Sequence, residues 1–443
     1  MAVLAVLVMR TWYVEGLLVP LRITGGSMAT TLLGSHQQVQ CDQCEHQFAN
    51  GVDPARPVTK AVCPLCGYAG NDLQGKPVLL GDGILVDKTI LRLRRPRRWE
   101  VVVFRRPEPP YRMYVKRVVG LPEESIRIRD GDVYVEGQIQ RKTLAQQRAM
   151  AILVDDAASQ PPGLPPRWQG DAWGADRGRF ACGSDPPGDA ADDWLEYCHW
   201  CRVPGSVTLT KDATLKKSEG QTRQCPITEP CGYTVTDLML SLRLVETRGE
   251  GSLAIRATDG RDTFKVLLYP DRQRYEVLRG DEVVPGGVGK SPRLTDGVEI
   301  VLSLFDKQLL LAFDGRPVVT REYAPSPGPL KPTPRPLAIG SQGGLGVTIS
   351  DIRVYRDVYY TRPIGAWHAW GVDAPCKLPD DAYFVLGDNS PISEDSRSWP
   401  APSFVPAKLL VGKALVVHFP ARRVHVGPWR FQVPDPTRIR YIR

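Results

Sequence analysis

Residues 112–138 read RMYVKRVVGLPEESIRIRDGDVYVEGQ and alternate apolar with polar side chains. Such alternation, in segments rich in valine, isoleucine and tyrosine, is typical of half-buried β-strands. Asp130 and Gly131 separate two of the runs, and an Asp-Gly pair favours the type I′ turn of a two-residue hairpin. We therefore predict a strand that carries Lys116, followed by a β-hairpin.

Lys116 is a candidate general base. On a strand, Tyr114, Lys116 and Val118 share one face. A lysine among apolar neighbours loses hydration, which disfavours the ammonium and lowers the pKa. The neutral amine can then take a proton from a serine hydroxyl. A basic strand also accommodates an ordinary surface lysine, so this interpretation depends on a matching nucleophile elsewhere.

The candidate nucleophile lies near the start of the chain, in ITGGSMATTLLG (residues 23–34). Ser27 follows two glycines there and precedes Met28. Glycines before a serine form an ordinary turn, because glycine tolerates positive φ and serine bonds locally to the backbone. They also allow another backbone to approach a nucleophile closely.

Two further stretches, GDGILVDK (81–88) and GDNSPISEDSRSW (387–399), complete the pattern. In this order, the serine loop, the GDG stretch, the lysine strand and the GDN stretch resemble the motifs of the type I signal peptidases. These are membrane-anchored proteases that use a serine and a lysine. The resemblance covers residues 10–36, 76–137 and 380–420 and implies a signal-peptidase-type β catalytic core.

The resemblance implies roles for single residues. Met28 and the apolar residues after it would line a rim that faces the membrane. Ser27 would attack the scissile carbonyl, and its backbone N–H would hold the oxyanion. Lys116 would be the general base, and Ser393 would orient its amine. Gly26, Arg117, Asp395 and Arg397 would support the site, the last three as a charge network. Catalysis would need no cofactor, and the substrates would be signal peptides of exported pre-proteins with small residues at −1 and −3.

Cysteines in two CxxC pairs follow the serine loop, at Cys41, Cys44, Cys63 and Cys66. Four thiolates at this spacing can surround Zn²⁺ as a zinc ribbon, and two disulfides are the alternative. The stretch lacks a basic, aromatic stripe, so we expect no nucleic-acid partner. The other six cysteines are Cys182, Cys198, Cys201, Cys225, Cys231 and Cys376, whose state the sequence leaves open.

Residues 194–358 contain short alternating runs separated by glycine and aspartate, which is typical of an antiparallel β-sandwich. The pattern resembles concanavalin-like and laminin-G-like jelly rolls. It names no ligand, so a glycan, a protein or a purely scaffolding role all remain open.

The chain is therefore predicted to be mainly β, with both extra domains inserted into the catalytic core. The predicted divisions are a residual or truncated membrane anchor (1–18), the first part of the core (19–36 and 71–140), the zinc ribbon (37–70), a linker (141–193), the sandwich (194–358) and the last part of the core (359–443).

Composition agrees with a folded protein, since 42% of the 443 residues are hydrophobic and 24% are charged. The apolar run at residues 2–9 is shorter than the roughly 20 residues that span a bilayer. We interpret it as the end of an anchor, and a short buried segment of a soluble form is the alternative. We expect the catalytic domain on the extracytoplasmic side of the cytoplasmic membrane. The net charge of +8 and the basic run at 92–98 are compatible with anionic lipid.

A non-catalytic surface adhesin or glycan-binding protein with a vestigial peptidase core is the alternative function. A vestigial site is expected to have lost its serine or its lysine, and both are present here. A self-cleaving Ser/Lys repressor would need a helix-turn-helix region, which the sequence does not show.

Overall fold

The structure is a computed structural model. It describes residues 3, 4, 6, 16–54, 57–106, 112–183, 193–199, 201–203, 206–208, 235–294, 297–331, 333–363, 365–426 and 429–443. Most of the predicted anchor, together with Cys225 and Cys231, lies outside the described residues. Among the residues described, no helix has the length and apolar character needed to cross a membrane.

The protein is mainly β, as predicted. The strands of the N-terminal part are β1 Leu18–Arg22, β2 His36–Gln40, β3 Gln47–Gly51, β4 Lys60–Ala61, β5 Asn71–Asp72, β6 Val78–Leu79, β7 Gly83–Asp87, β8 Val101–Arg105, β9 Met113–Gly120, β10 Ser125–Arg129, β11 Asp132–Val135 and β12 Gln138–Ile139. The helices are α1 Ile90–Leu93 and α2 Leu144–Met150.

The strands of the middle part are β13 Ile152–Asp156, β14 Trp168–Gln169, β15 Trp173–Asp176, β16 Arg179–Cys182, β17 Asp193–Tyr197, β18 Cys201–Val203, β19 Ser206–Thr208, β20 Leu238–Arg248, β21 Ser252–Thr258, β22 Thr263–Tyr269, β23 Arg274–Arg279, β24 Glu282–Lys290, β25 Val298–Ser303, β26 Gln308–Phe313, β27 Arg316–Glu322, β28 Leu337–Gln342 and β29 Gly346–Arg356. Those of the last part are β30 Cys376–Lys377, β31 Ala382–Leu386, β32 Val405–Pro406, β33 Leu410–Phe419, β34 Ala421–Val426, β35 Trp429–Pro434 and β36 Arg440–Tyr441.

The region predicted to be the catalytic core is built on one sheet with the strand order β1-β7-β33-β8-β9-β31-β32, and β36 pairs with β33. Strand β9 therefore lies between β8 and β31, and all these pairings are antiparallel. Val115 and Val118 belong to apolar clusters on opposite faces of the sheet, as strand alternation requires. Pairing between strands that are far apart in sequence thus brings the first and last parts of the chain together around β9.

The predicted hairpin follows β9. Strands β10 and β11 pair with Arg129 opposite Asp132, so the connection has two residues. Asp130 has a φ of 51° and Gly131 a φ of 89°. Two successive positive φ angles define the type I′ turn, which confirms that local prediction.

The sandwich consists of two antiparallel sheets. One has the order β15-β16-β29-β20-β25-β26-β27, with β13 also paired to β29, and the other has the order β14-β17-β28-β21-β22-β23-β24. Their facing side chains form the largest apolar cluster among the described residues.

The sandwich begins earlier than the sequence indicated. Strands β13 to β16, within residues 152–182, pair into its two sheets, whereas the sequence predicts a linker at 141–193. These strands are short, and the segments between them are rich in glycine, proline and aspartate, so the local sequence resembles a loop. They form strands because they pair with strands that lie elsewhere in the sandwich. Ile152 pairs with Arg356, so the chain enters and leaves the sandwich side by side.

The ribbon contributes a three-stranded sheet, β3-β2-β6, and the pair β4-β5. Leu153 of β13 packs against the apolar cluster that surrounds its cysteines. Arg167, just before β14, donates from Nη2 to the Leu65 carbonyl at 2.8 Å and from Nη1 to the Val154 carbonyl at 2.9 Å. The ribbon is therefore fixed to the sandwich as well as to the core.

Candidate active site and cysteine cluster

The serine loop leaves β1 and is held by its apolar residues. Met28 is 1% exposed and Leu32 is fully buried, and both pack in the cluster formed by β7, β8 and β33. The expectation that Met28 lines a membrane-facing rim is therefore wrong, because its side chain anchors the loop in the core. Ser27, one residue earlier, stays partly exposed.

Lys116 is buried, with 2% of its surface exposed. Its Nζ donates to Ser393 Oγ at 3.0 Å, and within the described part of the chain this is its one hydrogen bond. Burial lowers the pKa of Lys116 to about 8, against the opposing effect of the Asp395 carboxylate. The amine is therefore far easier to deprotonate than an ordinary lysine.

Gly387 brings the serine loop next to Ser393. A Cβ at position 387 would lie 2.2 Å from Ser393 Oγ and 2.5 Å from the Ser27 carbonyl oxygen, distances that no side chain tolerates. The Ser27 backbone, Ser393 and the Lys116 amine therefore meet at one point. Ser27 Oγ makes no hydrogen bond to any described residue, Lys116 included.

Asn389 fixes the peptide planes around the serine. Its Nδ2 donates to the Gly26 carbonyl at 3.1 Å, and its backbone N–H donates to the Ser27 carbonyl at 3.0 Å. In a trans peptide, the N–H points away from the carbonyl of the same plane. Holding the Gly26 carbonyl therefore orients the Ser27 N–H, which has no acceptor among the described residues.

Two buried ion pairs surround the site. Arg117 binds Asp388 through Nε (2.8 Å) and Nη2 (2.6 Å), and Arg397 binds Asp395 through Nε (2.9 Å) and Nη2 (2.8 Å). The residues expected to form one charge network thus form two separate pairs, because Arg117 has Asp388 as its partner.

Asp388 and Asn389 belong to the GDN stretch, but no role for either residue is predicted from the sequence. The sequence signal for Asp388 is a pair of opposite charges, Arg117 on β9 and Asp388 just after β31. This pair becomes apparent only when β9 and β31 are known to be neighbouring strands. Asp388 also accepts a hydrogen bond from Thr31 Oγ1 at 2.5 Å, so it ties the serine loop to the lysine strand.

The four ribbon cysteines form a separate site. Their sulfur atoms all lie within 4.8 Å of one another and are buried. The Sγ atoms of Cys41 and Cys66 are 3.5 Å apart, and those of Cys44 and Cys63 are 3.7 Å apart. A disulfide bond is about 2.05 Å long, so these four cysteines form no disulfide bond with one another.

Comparisons with known proteins match the segments of the chain that carry Lys116 and the GDN stretch. The model of the family "Signal peptidase, peptidase S26" matches residues 75–171 and 356–419, which include Lys116 and the GDN stretch but not Ser27. Signal peptidase I of Haemophilus influenzae is 30% identical over 150 residues, which cover 32% of this chain and 39% of that protein. The probable signal peptidase I-2 of Synechocystis is 34% identical over 65 residues, which cover 14% of this chain and 30% of that protein.

These matches confirm the resemblance to the type I signal peptidase family over the matched segments. The aligned part of this chain spans less than half the length of these curated relatives. The family match stops at residue 171 and resumes at residue 356, where the sandwich returns the chain to the core.

Among solved structures, the carbohydrate-binding module CBM66 from Bacillus subtilis is similar at 10% identity and a TM-score of 0.23, covering 43% of this chain and 92% of that one. A β-1,3-1,4-glucanase from a mouse hindgut metagenome is similar at 12% identity and a TM-score of 0.21, covering 31% of this chain and 77% of that one. TM-scores this low give no information about whether the sandwich binds a ligand.

Proposed function

We propose that this chain is a serine endopeptidase that removes signal peptides from exported pre-proteins, with Ser27 as nucleophile and Lys116 as general base. The observation that carries the proposal is the buried Lys116 amine on Ser393 Oγ, at the point where Gly387 admits the Ser27 backbone. The family match over the core supports the same reaction class.

The chemistry follows from these positions. Neutral Lys116 would take the proton of the Ser27 hydroxyl as its oxygen attacks the scissile carbonyl, and would return that proton to the leaving amine. The Ser27 N–H, oriented through Asn389, would donate to the oxyanion. The absence of a direct bond between Ser27 Oγ and the lysine is compatible with this role, since catalytic hydrogen bonds often tighten only when substrate binds.

An extended substrate can bind beside β1. This strand is the edge of its sheet among the described residues and leads directly into the serine loop. An edge strand offers free N–H and C=O groups to an extended peptide, which is the β-augmentation mode of recognition. A substrate peptide paired with β1 in this way would have its scissile bond next to Ser27.

A site at the membrane surface is part of the proposal. The basic run at 92–98 would face anionic lipid, with the catalytic core on the extracytoplasmic side. Two of its arginines are engaged internally, Arg94 with Glu100 and Arg98 with Glu124. The remaining cations of the run, Arg92, Arg95 and Arg97, are the ones we assign to lipid contact.

We also propose that the ribbon cysteines hold one structural Zn²⁺. Sulfur atoms 2.3 Å from zinc in a tetrahedron lie about 3.8 Å from one another. The separations of 3.5 and 3.7 Å are close to this value. Both knuckles also close in the same way, because Glu45 N–H donates to the Cys41 carbonyl and Gly67 N–H donates to the Cys63 carbonyl, each at 3.0 Å.

The experiment that tests the proposed function incubates the purified chain with a purified pre-protein and measures the masses of the products. The proposal predicts a single cut at the end of the signal peptide, where the residues at positions −1 and −3 from the cleavage site have small side chains. A pre-protein with a bulky residue at −1 is the matched control and should stay intact. The adhesin alternative predicts that neither pre-protein is cut, and that result would refute the proposal.

A further inference from the structure

A cluster of buried charges lies where the β10–β11 hairpin of the core meets the sandwich. It contains four carboxylates and two ammonium groups, from Asp132, Asp237, Asp306, Asp357, Lys142 and Lys307. Lys142 Nζ contacts Asp306 at 2.6 Å and Asp357 at 2.7 Å, and Lys307 Nζ contacts Asp237 at 2.9 Å. With every group ionised, the cluster has two more negative than positive charges.

Asp132 takes part in none of these ion pairs. Its carboxyl group is buried in the cluster, and no residue in the described ranges donates a hydrogen bond to it. A buried carboxylate without a partner is costly, so the position calls either for a proton or for a cation.

The arrangement has room for an ion and oxygens to bind it. One carboxylate oxygen each from Asp132, Asp237 and Asp306 lies within 4.8 Å of the others. Calcium–oxygen distances of 2.3–2.6 Å place two ligands on opposite sides of one ion about 5 Å apart. A cavity of about 450 Å³, lined by Asp132, Asp237 and Lys307, gives access from solvent.

The hydrogen bonds already present do not exhaust these carboxylates. Both oxygens of Asp306 accept from Lys142, and the two oxygens of Asp237 accept from Lys307 Nζ and from the Asp306 N–H. Asp237 Oδ1 accepts a second hydrogen bond, from Thr236 Oγ1 at 3.5 Å. A carboxylate oxygen has about two lone-pair sites, so Asp237 Oδ2 and both oxygens of Asp306 each retain one for a metal. All the donors are hard oxygens, which suit Ca²⁺ or Mg²⁺ rather than zinc.

We propose that this cluster is a binding site for one hard divalent cation, held by Asp132 from the core and by Asp237 and Asp306 from the sandwich. The ion balances the excess of two negative charges. It also bridges the two domains, because its ligands come from both. The site is distinct from the ribbon and from the residues around Lys116, and it does not depend on the proposed peptidase activity.

The test measures the calcium and magnesium content of the purified full-length chain by elemental analysis, and then titrates it with Ca²⁺ by calorimetry. The bound and titrated ions together should amount to one per chain, and Ca²⁺ should raise the melting temperature. Asp132→Asn should weaken binding at least about tenfold, because ligand charge sets the affinity. Near-UV circular dichroism checks that the variant is folded, and Asp237→Asn replaces it if it is not.

Asp130→Asn is the matched control. Asp130 lies two residues away, lines the same cavity and has a positive φ that asparagine tolerates, but it is outside the cluster. This variant should bind Ca²⁺ like the parent. A parent chain with neither bound nor titratable calcium or magnesium would show that Asp132 holds a proton instead, and would overturn the proposal. Equal binding by Asp132→Asn and the parent would overturn it as well.

Discussion

At the scale of single residues, the Lys116 amine determines how the proposed reaction depends on pH. The neutral amine is the active form, and burial lowers its pKa to about 8. We therefore expect kcat/KM for cleavage to rise with pH, to reach half its maximum near pH 8 and to level off above it. A pH profile on a peptide substrate without ionisable side chains measures this. A profile that keeps rising to pH 10 would mean that Lys116 titrates as an ordinary lysine.

A second residue-scale prediction concerns the Arg117–Asp388 pair. Its side chains are 1% and 2% exposed, so Asp388→Asn leaves a buried guanidinium without its counter-charge. Breaking such a pair costs about 3–5 kcal/mol, which denaturant unfolding measures as a loss in the free energy of unfolding. The control is Asp351→Asn, whose partner Arg243 is 46% exposed and whose loss should cost less than about 1 kcal/mol. Equal effects of the two variants would contradict the structural role of Asp388.

Among the separate elements, the ribbon has the most direct test. The parent chain should contain one zinc by elemental analysis, and Cys63→Ser should lose it, because three thiolates and a hydroxyl hold the metal far less well. Cys182→Ser, at a buried cysteine of the sandwich, should keep the metal. Zinc that is absent from the parent, or equally present in Cys63→Ser, would refute the metal site.

Local elements were the easiest to predict from the sequence. The Asp130-Gly131 turn and the two CxxC pairs each depend on residues close together in the chain, so short-range chemistry determines them. Within residues 152–182, β13 and β16 were missed because β29 stabilises them by pairing from more than 150 residues away. The partner of Arg117 was missed for the same reason, since β31 sets the position of Asp388.

The candidate site was predicted in part. Lys116, Ser393 and the Ser27 backbone do meet in the structure, but their roles stay predictions until activity is measured. The burial of Met28 could not be inferred from its neighbours, because an apolar residue after a glycine-rich turn fits a core and a membrane surface equally well. Only the sheet that packs against the loop distinguishes the two.

At the scale of the whole molecule, the sandwich is inserted at adjacent points of the core. Ile152 and Arg356 pair directly, so a short Gly/Ser linker can replace residues 152–356. We expect the shortened chain to fold and to cut a generic pre-protein at a rate within about tenfold of the parent, because inserted domains with adjacent ends leave the host core intact. Circular dichroism and the cleavage assay measure the two properties.

The parent chain and a variant with the same linker placed in the β23–β24 turn are the comparisons for that deletion. Loss of folding in the shortened chain would show that the sandwich is a structural part of the core. Intact cleavage of a generic pre-protein, with some exported proteins left unprocessed, would indicate that the sandwich recruits substrates. The fold of the sandwich does not distinguish among a glycan ligand, a protein ligand and a purely scaffolding role.

The central claim is that Ser27 and Lys116 together perform peptide hydrolysis, and kcat/KM for cleavage of one pre-protein tests it most directly. Ser27→Ala and Lys116→Ala should each lower kcat/KM by about 10⁴-fold or more with the fold retained, since nucleophile and base act as a unit. Thr30→Ala, at an exposed position of the same loop, should stay within about threefold of the parent. Cleavage by Ser27→Ala or Lys116→Ala at a rate close to that of the parent would contradict the account.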